Sequence, residues 1–394
     1  MDTTQDFSSV SNAKNPNRNS KTTESQSALE IVEVINKKQL KEFLTLPQSI
    51  YSDPASRYVM PLEMHMKMMM GKLGTPQKHF FLAYSKGQPV ARLGVKVHKV
   101  GAHERLHFGF FESKEEFPQA AKVLVDKAHS MYPHLEMMGP FNFRQEDPYI
   151  GVLVEGFDMD PYFMMPYNSP SYDEMIKKAQ MAPVMDLFTY EVKKSNGLPQ
   201  NIRDNAAKAA SAGYTTRALD PKNLRHDARI IAGLFNEALS NNWGFEEFLD
   251  DQVNEMITLF KLFIDYRVVL FACKDGKEVG CLLMIPNFNH LIKPSRGKLG
   301  LGLIYRYFQR KKTTDSIRGY ALGIRKAHQG QGIASFLCDE MFKAAADLPY
   351  ERCEISWILA NNNGMNELAK GMGGKQNKVY RIYSKSPINN ATHN

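Results

Sequence analysis

The chain has 394 residues, 43% of them hydrophobic and 23% charged, with a formal net charge of +8 at pH 7. That length and apolar content can supply two cores and favour two to three domains, while no apolar run is long enough to cross a bilayer and the polar N-terminus lacks an apolar signal segment, so a cytoplasmic protein is expected. Cys273, Cys281, Cys338 and Cys353 stand singly, which speaks for buried thiols over zinc ligands, and no His/Asp/Glu cluster has metal spacing, so no metal is expected.

Residues 1–28 are rich in Ser, Thr, Asn and Gln and read as a disordered leader. A first α/β region over 29–196 predicts a helix near 37–44, a strand pair at 79–84 and 90–97 around Lys86-Gly87, a strand at 106–111, an amphipathic helix at 117–132 and a strand at 135–139. A second region over 197–386 predicts a strand at 214–218, helices at 224–239 and 247–263, and a hairpin of 268–272 with 279–285 closed at Asp275-Gly276. After a basic-apolar insert at 293–312 come the strand Leu322-Gly323-Ile324, a glycine loop, a helix, a strand at 352–358, a helix from Asn361 to Gly373 and a strand at 379–383; residues 387–394 are a tail.

The loop Gln329-Gly330-Gln331-Gly332-Ile333-Ala334 between strand and helix is the most informative feature. A helix start leaves backbone N–H groups without partners and carries partial positive charge, and glycines let a diphosphate approach those amides. Lys and Ser/Thr do not follow the last glycine, which removes a nucleotide-hydrolase loop, and the early strand-helix-strand array of a dinucleotide fold is absent. The spacing Gln-x-x-Gly-x-Ala resembles the acyl-CoA pyrophosphate loop of the GNAT acyltransferase superfamily. The first region repeats the order of elements, but 111–118, where its loop would fall, carries acids and no glycine and would repel a diphosphate.

Further strings sharpen the resemblance: Gly139-Pro140-Phe141-Asn142-Phe143, residues 151–158, Met164-Met165-Pro166-Tyr167-Asn168, Asn242-Trp243-Gly244-Phe245 and Tyr380-Arg381-Ile382-Tyr383. Over residues 29–385 the chain resembles a bacterial double-GNAT family that includes ceramide synthases, which move a fatty acyl group from acyl-CoA to a sphingoid base. The resemblance implies an α/β fold of two tandem GNAT-like domains, each a mixed, mostly antiparallel twisted sheet flanked by helices, the first without a phosphate loop and given to structure and substrate enclosure. It also implies acyl-CoA as co-substrate, held by Leu322, Gly323, Ile324, Gln329, Gly330, Gln331, Gly332, Ile333, Ala334, Ser335, Asn361 and Asn362. Many superfamily members carry a Tyr in the last helix that protonates the leaving thiolate; here that position is Ala369.

Acyl transfer asks for a polarised thioester, a deprotonated amine and alignment of the two. A backbone amide near Ile324 would polarise the carbonyl. Glu354, the acid inside the strand 352–358 and on one face with Ser356, is the leading base; the alternative is an ion pair with Arg352, Arg381 or another surface cation. His328, as base, phosphate contact or plain turn residue, and Glu237 beside Trp243 are the other candidates.

The insert holds Lys293, Arg296, Lys298, Arg306, Arg310, Lys311 and Lys312 without an acid, interleaved with leucines and aromatics, a pattern suited to an anionic membrane surface or to a solvated helix packed on its domain. No nucleic-acid module accompanies it. Among 21 methionines, those at 64–70, 137–138, 159 and 164–165 suit ordinary packing or a soft groove for an acyl chain. The expectation is an acyl-CoA-dependent N-acyltransferase acting on a lipid amine, cytoplasmic and peripheral at the membrane. Its alternatives are a short-chain N-acetyltransferase acting on a polar amine and a non-catalytic acyl-CoA-binding or membrane-scaffold module.

Overall fold

The computed structural model describes residues 28–100, 103–143 and 148–388. The expected leader, Ala28 apart, and the tail beyond Ile388 lie outside them. The first half runs β1 (Glu30–Glu33), α1 (Lys37–Ile50), α2 (Glu63–Met70), β2 (Lys78–Ser85), β3 (Gln88–Val100), β4 (His103–Ser113), α3 (Ala120–Met131), β5 (Met137–Gly139), β6 (Val152–Glu155), α4 (Tyr172–Lys178) and β7 (Ala182–Lys193). The second runs α5 (Gln200–Ser211), β8 (Thr215–Ala218), α6 (Leu224–Ala238), α7 (Asp250–Phe263), β9 (Val269–Lys274), β10 (Lys277–Pro286), α8 (Asn289–Ile292), α9 (Leu301–Thr313), β11 (Ser316–Ile324), α10 (Ile333–Ala344), β12 (Arg352–Leu359), α11 (Asn363–Gly371) and β13 (Lys375–Lys385).

Local chemistry explains several of these boundaries. Asn36 opens α1 by accepting the Gln39 N–H at 3.0 Å while the Gln39 side chain accepts the Asn36 N–H at 3.2 Å. Lys86-Gly87 and Asp275-Gly276 turn their hairpins with positive φ at both residues, the geometry that matches strand twist. The Ala-rich α5, absent from the sequence reading, is held by a narrow stripe of Ile202, Ala206 and Ala209.

Hydrogen bonds join the strands into one sheet in the order β1-β2-β3-β4-β5-β13-β7-β12-β11-β10-β9-β8, with β6 also on β13. Each half contains one parallel pair, β4 with β5 and β11 with β12. The halves exchange their last strands: β7 lies on β12, β13 lies on β5 and β6, and β7 and β13 pair with each other at the centre. In the second half α5 and α10 cover one face of the sheet through Ala206, Ile333 and Leu337, and α6 and α7 cover the other through Ile231, Phe235 and Phe260.

The first half keeps its sheet closed beyond the parallel pair. Phe141 N–H donates to Phe108 O at 2.7 Å and Phe110 N–H to Asn142 Oδ1 at 3.1 Å, so the segment after β5 stays bonded to β4. A β-carbon on Gly109 would meet Phe141 O at 1.8 Å, so this approach requires glycine. At the end of β4 the buried Glu112 accepts from Tyr51, Tyr172 and Tyr58 at 2.8, 2.9 and 3.2 Å, with Arg92 at 3.7 Å. Burial raises the Glu112 pKa above the ordinary carboxylate value, against the lowering pull of Arg92 and the tyrosines.

Candidate active site

β11 leads through a turn at Lys326–His328 into the glycine loop and α10. Gly330 and Gly332 have φ of 76° and 78°, the left-handed region open to glycine. Their surroundings differ: a β-carbon at Gly330 would face open space, whereas at Gly332 it would stand 2.7 Å from Asn205 O of α5. Both were expected to admit a diphosphate. The structure gives that openness to Gly330, while Gly332 lets the loop lie against α5. Phe336 N–H is the first to bond back, to Gly332 O at 2.9 Å, and the N–H groups of residues 330–335 have no acceptor among the described residues. Side chains brace the loop: Gln329 Nε2 donates to Ile324 O, Gln331 Nε2 to Ala327 O, and Tyr214 OH to Gln331 Oε1.

Beside the loop the sheet opens. β11 and β12 pair only from Ser316↔Arg352 to Gly319↔Ile355 and then part, while Tyr320 bulges between β11 and β10. A cavity of about 360 Å³ occupies the gap and reaches both faces of the sheet, touching Cys338 and Met341 of α10 on one side and Met256, Phe260 and Phe263 of α7 on the other. The first half closes it with His65, Met68 and Met69 of α2 and with Pro148 and Met164. The wall is mainly apolar and includes Met68, Met69 and Met164, whereas Met66 and Met70 pack in a core cluster of the first half and Met64 is exposed.

The site residues read from sequence separate into distinct places. Leu322 and Asn362 touch the cavity, and Asn362 Oδ1 also caps α11 by accepting Met365 N–H at 3.2 Å. Gly323 lies against Phe235, Ile324 and Ile333 pack in the α10 cluster, Ser335 is buried, Ala334 half-buried, and Asn361 exposed. Glu354 is 0% exposed; its Oε2 accepts from Lys378 Nζ and from Asn377 Nδ2 at 2.9 Å, and it has no place on the cavity wall. Glu354 is thus in an ion pair, but with the buried Lys378 and not with Arg352, Arg381 or a surface cation. His328 Nδ1 lies 2.8 Å from Tyr214 Oη and braces the loop outside the cavity. Glu237 accepts from Arg325 at 2.6 Å and from Lys326 N–H at 3.0 Å, tying α6 to the end of β11. Burial would raise the Glu237 pKa, but these donors outweigh it and hold the carboxyl below its ordinary value.

Residues 233–373 match the Acetyltransferase (GNAT) family. That match lies within the second half, from inside α6 to just past α11. The chain is 27% identical over 380 residues to a bacterial ceramide synthase of Caulobacter vibrioides, covering 91% of this chain and 97% of that protein. A tandem GNAT protein from the clavulanic acid biosynthesis pathway superposes with a TM-score of 0.53 at 12% identity, over 91% of this chain and 98% of its own. A glucosamine N-acetyltransferase region of a fungal multi-domain beta-N-acetylglucosaminidase gives a TM-score of 0.56 at 12% identity; the match covers 91% of this chain and 38% of that one. The protein is thus a GNAT-type N-acyltransferase with the tandem GNAT fold, and acyl-CoA is the co-substrate of its family. Among the described residues no helix is long and apolar enough to cross a membrane.

Among the cavity residues that the sequence did not mark are His65 and Arg318. His65 on α2 lacks any spacing signal; burial lowers its pKa to about 4, leaving a neutral imidazole at pH 7. Arg318 interrupts an apolar strand between Ile317 and Gly319, a charge in a buried run that could have marked it. The fold also gathers His98, His107 and Glu246, far apart in sequence, with ligand atoms all within 4.8 Å of one another.

Proposed function

We propose that this GNAT enzyme moves a long acyl chain from acyl-CoA to the amine of a lipid acceptor, as a ceramide synthase does. The diphosphate lies on the free amides of residues 330–335, and the pantetheine and thioester follow Leu322 into the gap between β11 and β12. The amine nitrogen attacks the thioester carbon, the C–S bond breaks, the amine loses a proton and the CoA thiolate gains one. A β11 amide beside the Tyr320 bulge polarises the carbonyl. With Glu354 sealed against Lys378, His65 is a neutral imidazole on the wall able to accept a hydrogen bond from the amine.

The observation that carries this reading is the apolar cavity that continues through the sheet to α7 and the first half, space that a two-carbon acyl group would leave unused. From it a contact series Phe263–Phe288–Tyr307 leads to α9. There Leu301, Ile304, Tyr305 and Phe308, at spacings of three and four, are 86%, 50%, 67% and 74% exposed. A one-sided apolar stripe beside Lys298 and Arg306 suits the interface of an anionic membrane.

Mass spectrometry of products from palmitoyl-CoA with sphinganine, against acetyl-CoA with polar amines, tests the specialisation. Turnover confined to acetyl-CoA and polar amines would return the polar-amine enzyme. Co-sedimentation with phosphatidylserine vesicles at low salt should be lost in a Leu301→Ser, Tyr305→Ser, Phe308→Ser variant. Wild-type protein that stays in the supernatant would remove the membrane surface from the proposal.

A further inference from the structure

Arg318 is 2% exposed and stands on the cavity wall, on the strand position paired with Glu354. Glu354 is already bound by Lys378, so this buried neighbourhood holds two cations and one carboxylate. Every hydrogen bond Arg318 makes goes to a neutral acceptor: Nε to Ser356 Oγ at 2.9 Å, Nη1 to Phe163 O at 3.0 Å, and a long Nη2 contact to Ser356 O at 3.4 Å. The Tyr320 ring lies 5.0 Å away. No carboxylate among the described residues forms an ion pair with it. A guanidinium has five N–H donors in a planar fork, and these contacts engage three.

Cations withdrawn from water are ordinarily matched by an opposite charge, because desolvation without one is strongly unfavourable. Behind Arg318 lie β12 and the Phe163 carbonyl; the direction left for a counter-charge is the cavity. Phe163 packs with Phe263 and Phe288, so Arg318 looks onto the sheet face opposite α10, the face left for the acceptor once acyl-CoA lies along α10. The geometry points to an acceptor whose amine carries a nearby anionic oxygen group, carboxylate or phosphate, held by the Arg318 fork. This rests on the reading of the cavity as the acyl-transfer site and narrows the acceptor within it.

The test measures kcat and KM for five amines with palmitoyl-CoA: 2-aminohexadecanoic acid, sphinganine 1-phosphate and neutral sphinganine, and the short pair serine and ethanolamine. The anionic member of each chain-length class should be favoured about 10- to 100-fold in kcat/KM, chiefly through KM, the scale of a hydrogen-bonded charge. Which long-chain anion wins separates carboxylate from phosphate. Arg318→Gln should bring the ratios towards one, and Arg318→Lys, which keeps the charge without the fork, should retain part of the preference. Calorimetry with palmitoyl-CoA reports whether the variants are folded. Wild-type ratios at or below one in both classes overturn the inference whether or not Arg318→Gln folds, as does an undiminished preference in a variant that binds palmitoyl-CoA. The long-to-short contrast is independent of these ratios and bears on the lipid reading alone.

Discussion

The two halves share an identical hairpin turn, a bulge and one parallel strand pair, and they part company immediately after that pair. In the first half β4 carries the extra residue near Phe110, yet Phe141 and Asn142 stay bonded to it and Glu112 with its tyrosines fills the end of the strand. In the second half the bulge is at Tyr320 and the strands separate into a cavity. A bulge therefore permits opening without enforcing it; what decides is whether the next segment finds partners on the neighbouring strand. The closed half then serves the open one, since α2 and residues 148 and 164 wall its cavity.

The sharpest way to break this comparison is at the loop. Gly330→Asp puts a carboxylate into open space beside the amides, and acyl-CoA affinity measured by calorimetry should fall by about 100-fold or more, more than Gly330→Ala, which adds only a strain of roughly 1–2 kcal/mol. Unchanged affinity in the Asp variant would remove the loop from the donor site. Next in size, Lys378→Met leaves Glu354 buried without its cation and should cost about 3–5 kcal/mol in urea unfolding, most of it recovered in the Glu354→Gln, Lys378→Met double variant. A single variant as stable as wild type would mean that the pair does not hold the centre.

A third effect is read from pH. Burial, first among the causes, holds His65 and His107 down to about 4 in the folded protein, against an ordinary value of 6.5. Between these values the unfolded chain binds more protons than the native one, so stability should be level above 6.5 and decline as pH falls toward 4, by up to roughly 3 kcal/mol for each histidine. His65→Gln should flatten part of that decline in thermal unfolding; an unaltered slope would place its titration near the ordinary value. The smallest change expected is from Glu112→Gln, which weakens the plug of the closed half by about 1–3 kcal/mol and leaves acyl-CoA affinity as it was. A loss of that affinity would mean that the first half shares the donor site.

The loop was legible because its signals are local: glycines at fixed spacing, a strand before, an amphipathic helix after. Both hairpins were legible for the same reason. The exchange of β7 and β13 was not, because their partners lie across the chain and neither strand's own residues name them. Glu354 shows the same limit from the other side. Its strand position was visible, but its partner Lys378 sits on a different strand, and only the pairing of β12, β7 and β13 brings the two together. His65 sits among the methionines of an eight-residue helix, and its position there carries no local signal of a wall residue.

The strand exchange also fixes when the molecule can be finished. Gly139 of β5 waits for Tyr383 of β13, a residue made much later, and at ~5–20 residues per second the ribosome needs on the order of 10 s or more to deliver it. Until then β5 presents a bare edge, and an edge of that kind invites foreign strands. A chain stopped shortly before residue 375 would lose β13 from β5, β6 and β7 alike, while β12 kept its partner β7.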